Sequence, residues 1–204
     1  MRHLVEEYHK HLEDLEKVVK NVNNKVLSNS SDPFFINNLN FLTKSFLVTI
    51  CAYLESFIKD ITYSTIEDYN DWLKGLGIPI NLTKWSFNPK KQIDDEHLKF
   101  AELTLNIKKK DLDDYVSSNP FKTIKLFKQI GIDLEKNEIF NDLKKIINSI
   151  VTKRNNVIHY NDDASDITLS DILDYIGVVQ KYIELIDLEI QKTLKDYSYQ
   201  CQPV

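Results

Sequence analysis

The chain has 204 residues and a net charge of −5, from 26 Lys+Arg against 31 Asp+Glu, and 42% of its residues are hydrophobic. That length holds one domain, or one domain with a small insert. Only 4 Gly and 5 Pro leave too few turn-formers for an all-β sandwich or barrel, which turns every ~8–12 residues. No Gly-rich phosphate loop is present. The two cysteines, Cys51 and Cys201, make neither a disulfide framework nor a C-x-x-C metal pair, and free thiols fit a reducing cytosol. Cys51 lies in an apolar run and reads as a small buried hydrophobe. The first residues lack the apolar core of a signal peptide. The longest uncharged apolar-rich stretch, Ser45–Leu54, falls far short of the ~20 residues that span a bilayer. The expectation is a soluble, cytoplasmic protein with no membrane contact. Of the basic residues 24 are Lys, and the only two Arg are Arg2 and Arg154.

In chain order the apolar residues recur at helical spacing. Leu4, Tyr8, Leu12, Leu15, Val18, Val19, Val22 and Val26 define a first amphipathic helix. The SNSSDP cluster at 28–33 breaks it, with Pro33 placed in the first turn of the next helix. A second helix, from Phe34 to about Asp68, is the most apolar element and reads as the centre of a bundle. Between 72 and 118 the pattern weakens. GLGIPI, Asn88–Pro89 and Asn119–Pro120 mark turns, and His97–Ile107 fits a short helix or a strand equally. This stretch reads as an insert between helices two and three. Phe121–Ile130 is helical and closed by Gly131. Ile139, Leu143, Ile146, Ile147, Ile150 and Val151 form the next apolar stripe, running into Lys153 and Arg154. After the polar loop HYNDDASD, Thr168 and Asp171 make an S/T-x-x-D start for a last helix reaching about Lys195. The fold class is all-α, an antiparallel helical bundle with an irregular middle.

Most polar clusters read as solvated surface. His9 and His11 are about 200° apart on their helix and cannot share a metal, and Lys108–Lys110 reads as a solvated turn. The segment IVTKRNNVIHYNDD differs. Arg154 and His159 stand as R-x4-H where an apolar helix gives way to a polar loop. Five residues of ideal helix would leave the two side chains about 140° apart. Convergence therefore requires the helix to end near Asn155–Asn156, where asparagines help the backbone leave αR. Arg supplies a permanently charged planar fork for phosphate. His is the side chain that exchanges a proton near neutrality. Together they are a minimal kit for metal-independent RNA cleavage, in which a base assists the ribose 2′-OH and a cation stabilises the developing charge. Residues 143–159 hold Lys144, Lys145, Lys153 and Arg154 and no acid, which reads as a local basic edge on an acidic chain. The bland alternative is that His159 only caps a helix end.

The segment KRNNVIHYND, entered from an Ile-rich helix and followed by a long amphipathic one, resembles the R-x(4–6)-H motif of the HEPN superfamily. In that superfamily a polar residue, often Asn, follows the Arg, as Asn155 does. TICAYLESFIKDI, with an acid inside a strongly apolar helix, resembles the long helix of the RiboL-PSP-type HEPN proteins. The likeness covers residues 34–70 and 119–195 and fits the first helix and 72–118 less clearly. It implies a single HEPN-like domain over 1–204 that homodimerises, bringing two motifs into one cleft. It also implies a metal-independent endoribonuclease of a toxin–antitoxin or phage-defence system, with no cofactor, acting on RNA and, in the toxin–antitoxin case, countered by a cognate antitoxin. On that mapping Arg154 stabilises the scissile phosphate and His159 is general base or acid. Asn155 holds ribose or phosphate or orients the Arg, and Lys153 adds positive charge. Tyr160 stacks on a base or merely packs, and Asp162 and Asp163 orient His159 or are solvated. Glu55 pairs with Arg154, in a catalytic or a structural role. Two alternatives stay open: a HEPN-like module that binds nucleotide or protein without cutting, and an unrelated helical scaffold.

Overall fold

The computed structural model describes residues 2–28, 32–90, 102–159 and 166–200. Six α-helices run through them: α1 (Arg2–Ser28), α2 (Pro33–Gly75), α3 (Ile80–Phe87), α4 (Pro120–Gln129), α5 (Glu138–His159) and α6 (Leu169–Gln200). Short 3-10 turns lie at Lys109–Leu112 and Leu134–Lys136. Among the described residues there is no strand, only an isolated antiparallel bridge between Pro79 and Glu102. The all-α bundle is as expected.

Helices α1, α2, α5 and α6 pack around one core. The Tyr8 hydroxyl donates to Asp60 at 3.0 Å and His11 stacks on Tyr53 at 5.4 Å, so α1 runs antiparallel to α2. The α5–α6 pair is antiparallel too. Asn137 donates to Glu189 at 2.9 Å near one end, Phe140 stacks on Tyr182 at 5.0 Å, and Lys153 reaches Asp166 at the other end. Helix α2 is central. Its Leu47, Ile50, Cys51, Leu54, Phe57, Ile58 and Ile61 are all buried. By length and composition its Asn37–Gly75 part is apolar enough to cross a membrane; here its inward-facing side chains, Leu47 to Ile61 among them, pack in the bundle core. Several hydroxyls on this helix donate to carbonyls one turn back, as at Thr49 to Ser45 and Thr65 to Ile61.

The helix starts follow the chemistry read from the sequence. Asp32 caps α2 by accepting from the Phe34 amide, with Pro33 at the first helical position. Thr168 and Asp171 exchange bonds in a capping box at the start of α6. Gly131 adopts φ +81 just past α4. The Ile132 amide bonds to Phe127 and the Gly131 amide to Lys128, the paired bonds of a Schellman ending.

Two helix ends differ from expectation, and the insert takes definite form between them. Helix α2 continues past Asp68 to Gly75 because Ile66 and Asn70 still face inward and the Tyr69 hydroxyl reaches the Ile130 carbonyl at 3.1 Å. The 72–118 insert contains α3, an eight-residue helix with no buried residue. Of His97–Ile107, residues 97–101 lie outside the described residues and 102–107 are not helical. There the Asn70 side chain takes the place of a partner strand. It accepts from the Leu105 amide at 2.6 Å and donates to the Leu105 carbonyl at 3.4 Å. Finally, α5 does not end at Asn155–Asn156 but runs to His159. The Asn155 side chain accepts from Arg154 and does not compete for the backbone, while Val157 still packs against the core.

Candidate functional site

Along α5, Ile147, Val151, Arg154 and Ile158 fall on one ridge, spaced three and four residues apart. The first two are buried in the core, so the third carries its charge to the core's edge. A charge there needs partners. Nη2 of Arg154 donates to Glu55 of α2 at 3.2 Å and to Ser118 Oγ, just before α4, at 3.4 Å; Nη1 donates to Asn155 Oδ1 at 3.1 Å. The arginine side chain is 20% exposed and that of Glu55 41%, so the pair sits at a rim with its carboxylate partly in water. Nε of Arg154 is buried with no hydrogen-bond partner. Cys51 lies one turn before Glu55 on α2. Burial pushes its thiol up to about 11, the Arg154 guanidinium pulls it down and Glu55 pushes it up again. The group is thus a neutral thiol at ordinary pH, beside the guanidinium.

The other expected residues are placed differently. His159 is exposed at the last position of α5 and makes no hydrogen bond or ion pair among the described residues. Because α5 stays helical from 154 to 159, the two side chains of the motif leave the axis about 140° apart. One chain therefore does not bring Arg154 and His159 together, which corrects the expected early helix end. Lys153 points to the start of α6. Its ammonium pKa is raised, chiefly by its hydrogen bond to Asp166. Tyr160, Asp162 and Asp163 lie outside the described residues.

The acid-free stretch 143–159 is not a free basic edge in space. Lys144 meets Glu135 at 3.0 Å, Lys145 meets Asp142 at 3.6 Å, Lys153 meets Asp166 and Arg154 meets Glu55. Three of these four carboxylates come from other elements and one from the first turns of α5. Lys109 of the basic triplet likewise pairs with Asp60, at 2.6 Å. His9, expected at the surface, is largely covered and lies 3.3 Å from Glu184 of α6. Among the described residues no three or more His, Cys, Asp or Glu cluster as a metal site.

Ser118 was not legible beforehand. It is 1% exposed, far from Arg154 in sequence, and carries no motif signal. It is held in place by the capping geometry around it, in which Asn119 caps α4 and Ser117 accepts from the Asn119 amide.

The sequence profile of the RiboL-PSP-HEPN family matches residues 6–192. The chain belongs to that family. The match takes in the first helix and the 72–118 stretch, which the motif-based likeness left aside. Membership in a HEPN family supports a role in RNA cleavage or nucleotide binding. No curated protein and no solved structure matches the chain at a significant level.

Proposed function

We propose that this protein is a metal-independent endoribonuclease of a toxin–antitoxin or phage-defence system, acting in the cytoplasm as a homodimer. The observation that supports it best is Arg154, paired at the rim of the core with Glu55 of α2, one helical turn or so from a solvent-facing His159 at the end of α5, in a chain of this family. In the proposed step His159 takes the proton of a ribose 2′-OH. The 2′ oxygen then bonds to the adjacent phosphorus, the bond to the 5′ oxygen breaks, and that oxygen takes up a proton. Arg154 meets the charge that builds on the phosphate. One strand keeps a 2′,3′-cyclic phosphate and the other a 5′-OH. Of the five N–H donors of an arginine, three bonds are already made, both of those from Nη2 included. A bidentate grip on phosphate needs an Nη2 donor, so it requires Glu55 or Ser118 to yield. On this reading Asn155 keeps the guanidinium oriented, Lys153 adds positive charge beside the cut once Asp166 releases it, and Tyr160 stacks on a neighbouring base.

Since Arg154 and His159 of one chain diverge, the reading makes the cleft a composite of two copies. Arg154→Ala and His159→Ala should each abolish cleavage of RNA measured in chelator, and the parent should yield cyclic-phosphate ends. If both variants cut as well as the parent, the reading is wrong. Arg154→Lys, which keeps the charge and loses the fork, should retain the melting temperature yet lose most of the activity.

One observation favours a second reading, a HEPN module that binds without cutting. Every cation of 143–159 already has a carboxylate partner. Saturable RNA or nucleotide binding by the parent, with no cleavage at high enzyme concentration, would select it.

A further inference from the structure

Helix α4 turns one well-defined face to solvent. At about 100° per residue Phe121, Lys122, Lys125, Lys128 and Gln129 fall within an arc of about 120°, and all five are exposed. Thr123, Ile124, Leu126 and Phe127 take the opposite arc and are buried. The face begins at the candidate site. Ser118, which accepts from Nη2 of Arg154 at 3.4 Å, stands immediately before Asn119, the residue that caps α4. Phe121 and Lys122 therefore lie in the turn next to the guanidinium's partner. Helix α5 joins the same face, because Nζ of Lys144 stands over the Phe121 ring, 5.9 Å from its centroid. That ring is 52% exposed.

Packing leaves this face positive. Residues 115–132 hold no Asp or Glu. Among the described residues the fold brings Glu135 to it, and that carboxylate is shared by Lys128 at 2.7 Å and Lys144 at 3.0 Å. Asp142 goes to Lys145, and Asp133 accepts from the Glu135 amide. Lys122 and Lys125 make no ion pair among the described residues. An open aromatic ring flanked by unmatched lysines suits single-stranded nucleic acid, whose bases stack on the ring while its phosphates meet the ammonium groups. A duplex hides its base faces and does not use such a ring. An acidic protein would also meet the lysines, but continuity with Arg154 favours the strand that carries the phosphate.

We propose that the outward face of α4 holds single-stranded RNA next to the cut, with a base stacked on Phe121 and backbone phosphates met by Lys122 and Lys125. It deepens the ribonuclease reading by placing the strand beside Arg154, and rests on that reading for the identity of the nucleic acid. Ser118, 1% exposed, is the joint, because it ties the start of α4 to the guanidinium. A strand leaving the phosphate at Arg154 meets Phe121 and Lys122 first and Lys125 about one turn further along the helix.

The test is the fluorescence anisotropy of end-labelled 2′-O-methyl oligouridine, which lacks the attacking hydroxyl, titrated with the parent and its variants over a range of salt. Lys122→Gln with Lys125→Gln should weaken binding and lower the slope of log affinity against log salt by about 0.7 for each phosphate no longer neutralised. Phe121→Ala should weaken binding about tenfold with the slope unchanged, and Phe121→Trp should restore it. Lys10→Gln with Lys25→Gln, which removes the same charge from exposed positions of α1, should bind as the parent does. The substituted lysines are exposed, so both double variants should melt as the parent does. No binding by the parent, an unchanged slope in the α4 double variant, an equal fall in the α1 double variant, or parental affinity in Phe121→Ala overturns the proposal. So does equal competition by polyglutamate, because the face then fits an acidic protein. Cleavage of ordinary RNA by a parent whose α4 variants bind as it does sinks this face alone. Binding that the α4 variants lose, in a parent that never cuts, sinks the nuclease reading alone.

Discussion

Arg154 shows how far a single side chain can be read from sequence and where that reading stops. Its rarity among 24 lysines singled it out, and the acid of α2, Glu55, is its ion-pair partner. Ser118 and Cys51 complete its surroundings, and neither could be placed there without the fold, because only the packing of α2, the start of α4 and α5 brings them to the guanidinium. A soft, neutral sulfur beside a cation has a chemical consequence. Buried and pushed up to about 11, the Cys51 thiol should resist iodoacetamide in the folded protein at pH 8. Mass spectrometry of the tryptic peptide should find it alkylated only after denaturant is added. Rapid native labelling would mean that the Arg154 cradle opens on its own.

Helix starts were legible because they rest on local chemistry; one helix end was not. Thr168 and Asp171 were recognisable from spacing alone, and they form the capping box that starts α6. Thr168→Ala should cost about 1 kcal/mol in denaturant unfolding. The Asp171 carboxyl is held below the usual carboxylate range, first by the Thr168 hydroxyl and then by the Thr168 amide. Asp166 is held low mainly by Lys153. A carboxyl depressed in the folded state stabilises it above about pH 4, and that contribution fades as the pH falls through the folded value. The gap in melting temperature between the parent and Thr168→Ala should therefore narrow below about pH 4. The end of α5 lies beyond Asn155 because an asparagine breaks a helix only where its side chain is free to compete for the backbone. Asn155 is occupied by Arg154, so the helix persists for another turn.

On the scale of the whole molecule, charge was the least transferable inference. Linear sequence showed an acid-free run at 143–159, but folding delivers carboxylates to it from α2, the Leu134–Lys136 turn and the approach to α6. The bundle itself was legible because periodicity survives averaging over many residues. The divergence of Arg154 and His159 yields a test of assembly. If the cleft needs Arg154 of one copy and His159 of another, mixing the two inactive variants after mild denaturation should restore a fraction of the cleavage. No recovery in mixtures shown to hold both chains would mean that each copy uses its own pair.

The Asn70 clamp on Leu105 has an architectural consequence. The chain leaves α2 at Gly75 and is back on the same helix, little more than one turn away, by Leu105. Residues 76–104 thus form a closed excursion whose two feet are fixed by the Asn70 amide and by the Pro79–Glu102 bridge. The entropy of such a closed loop grows only with the logarithm of its length. Length and side chains in the excursion can therefore change at little cost to the register of the four packed helices. The fold separates a part that must stay constant from a part that is free to be rewritten.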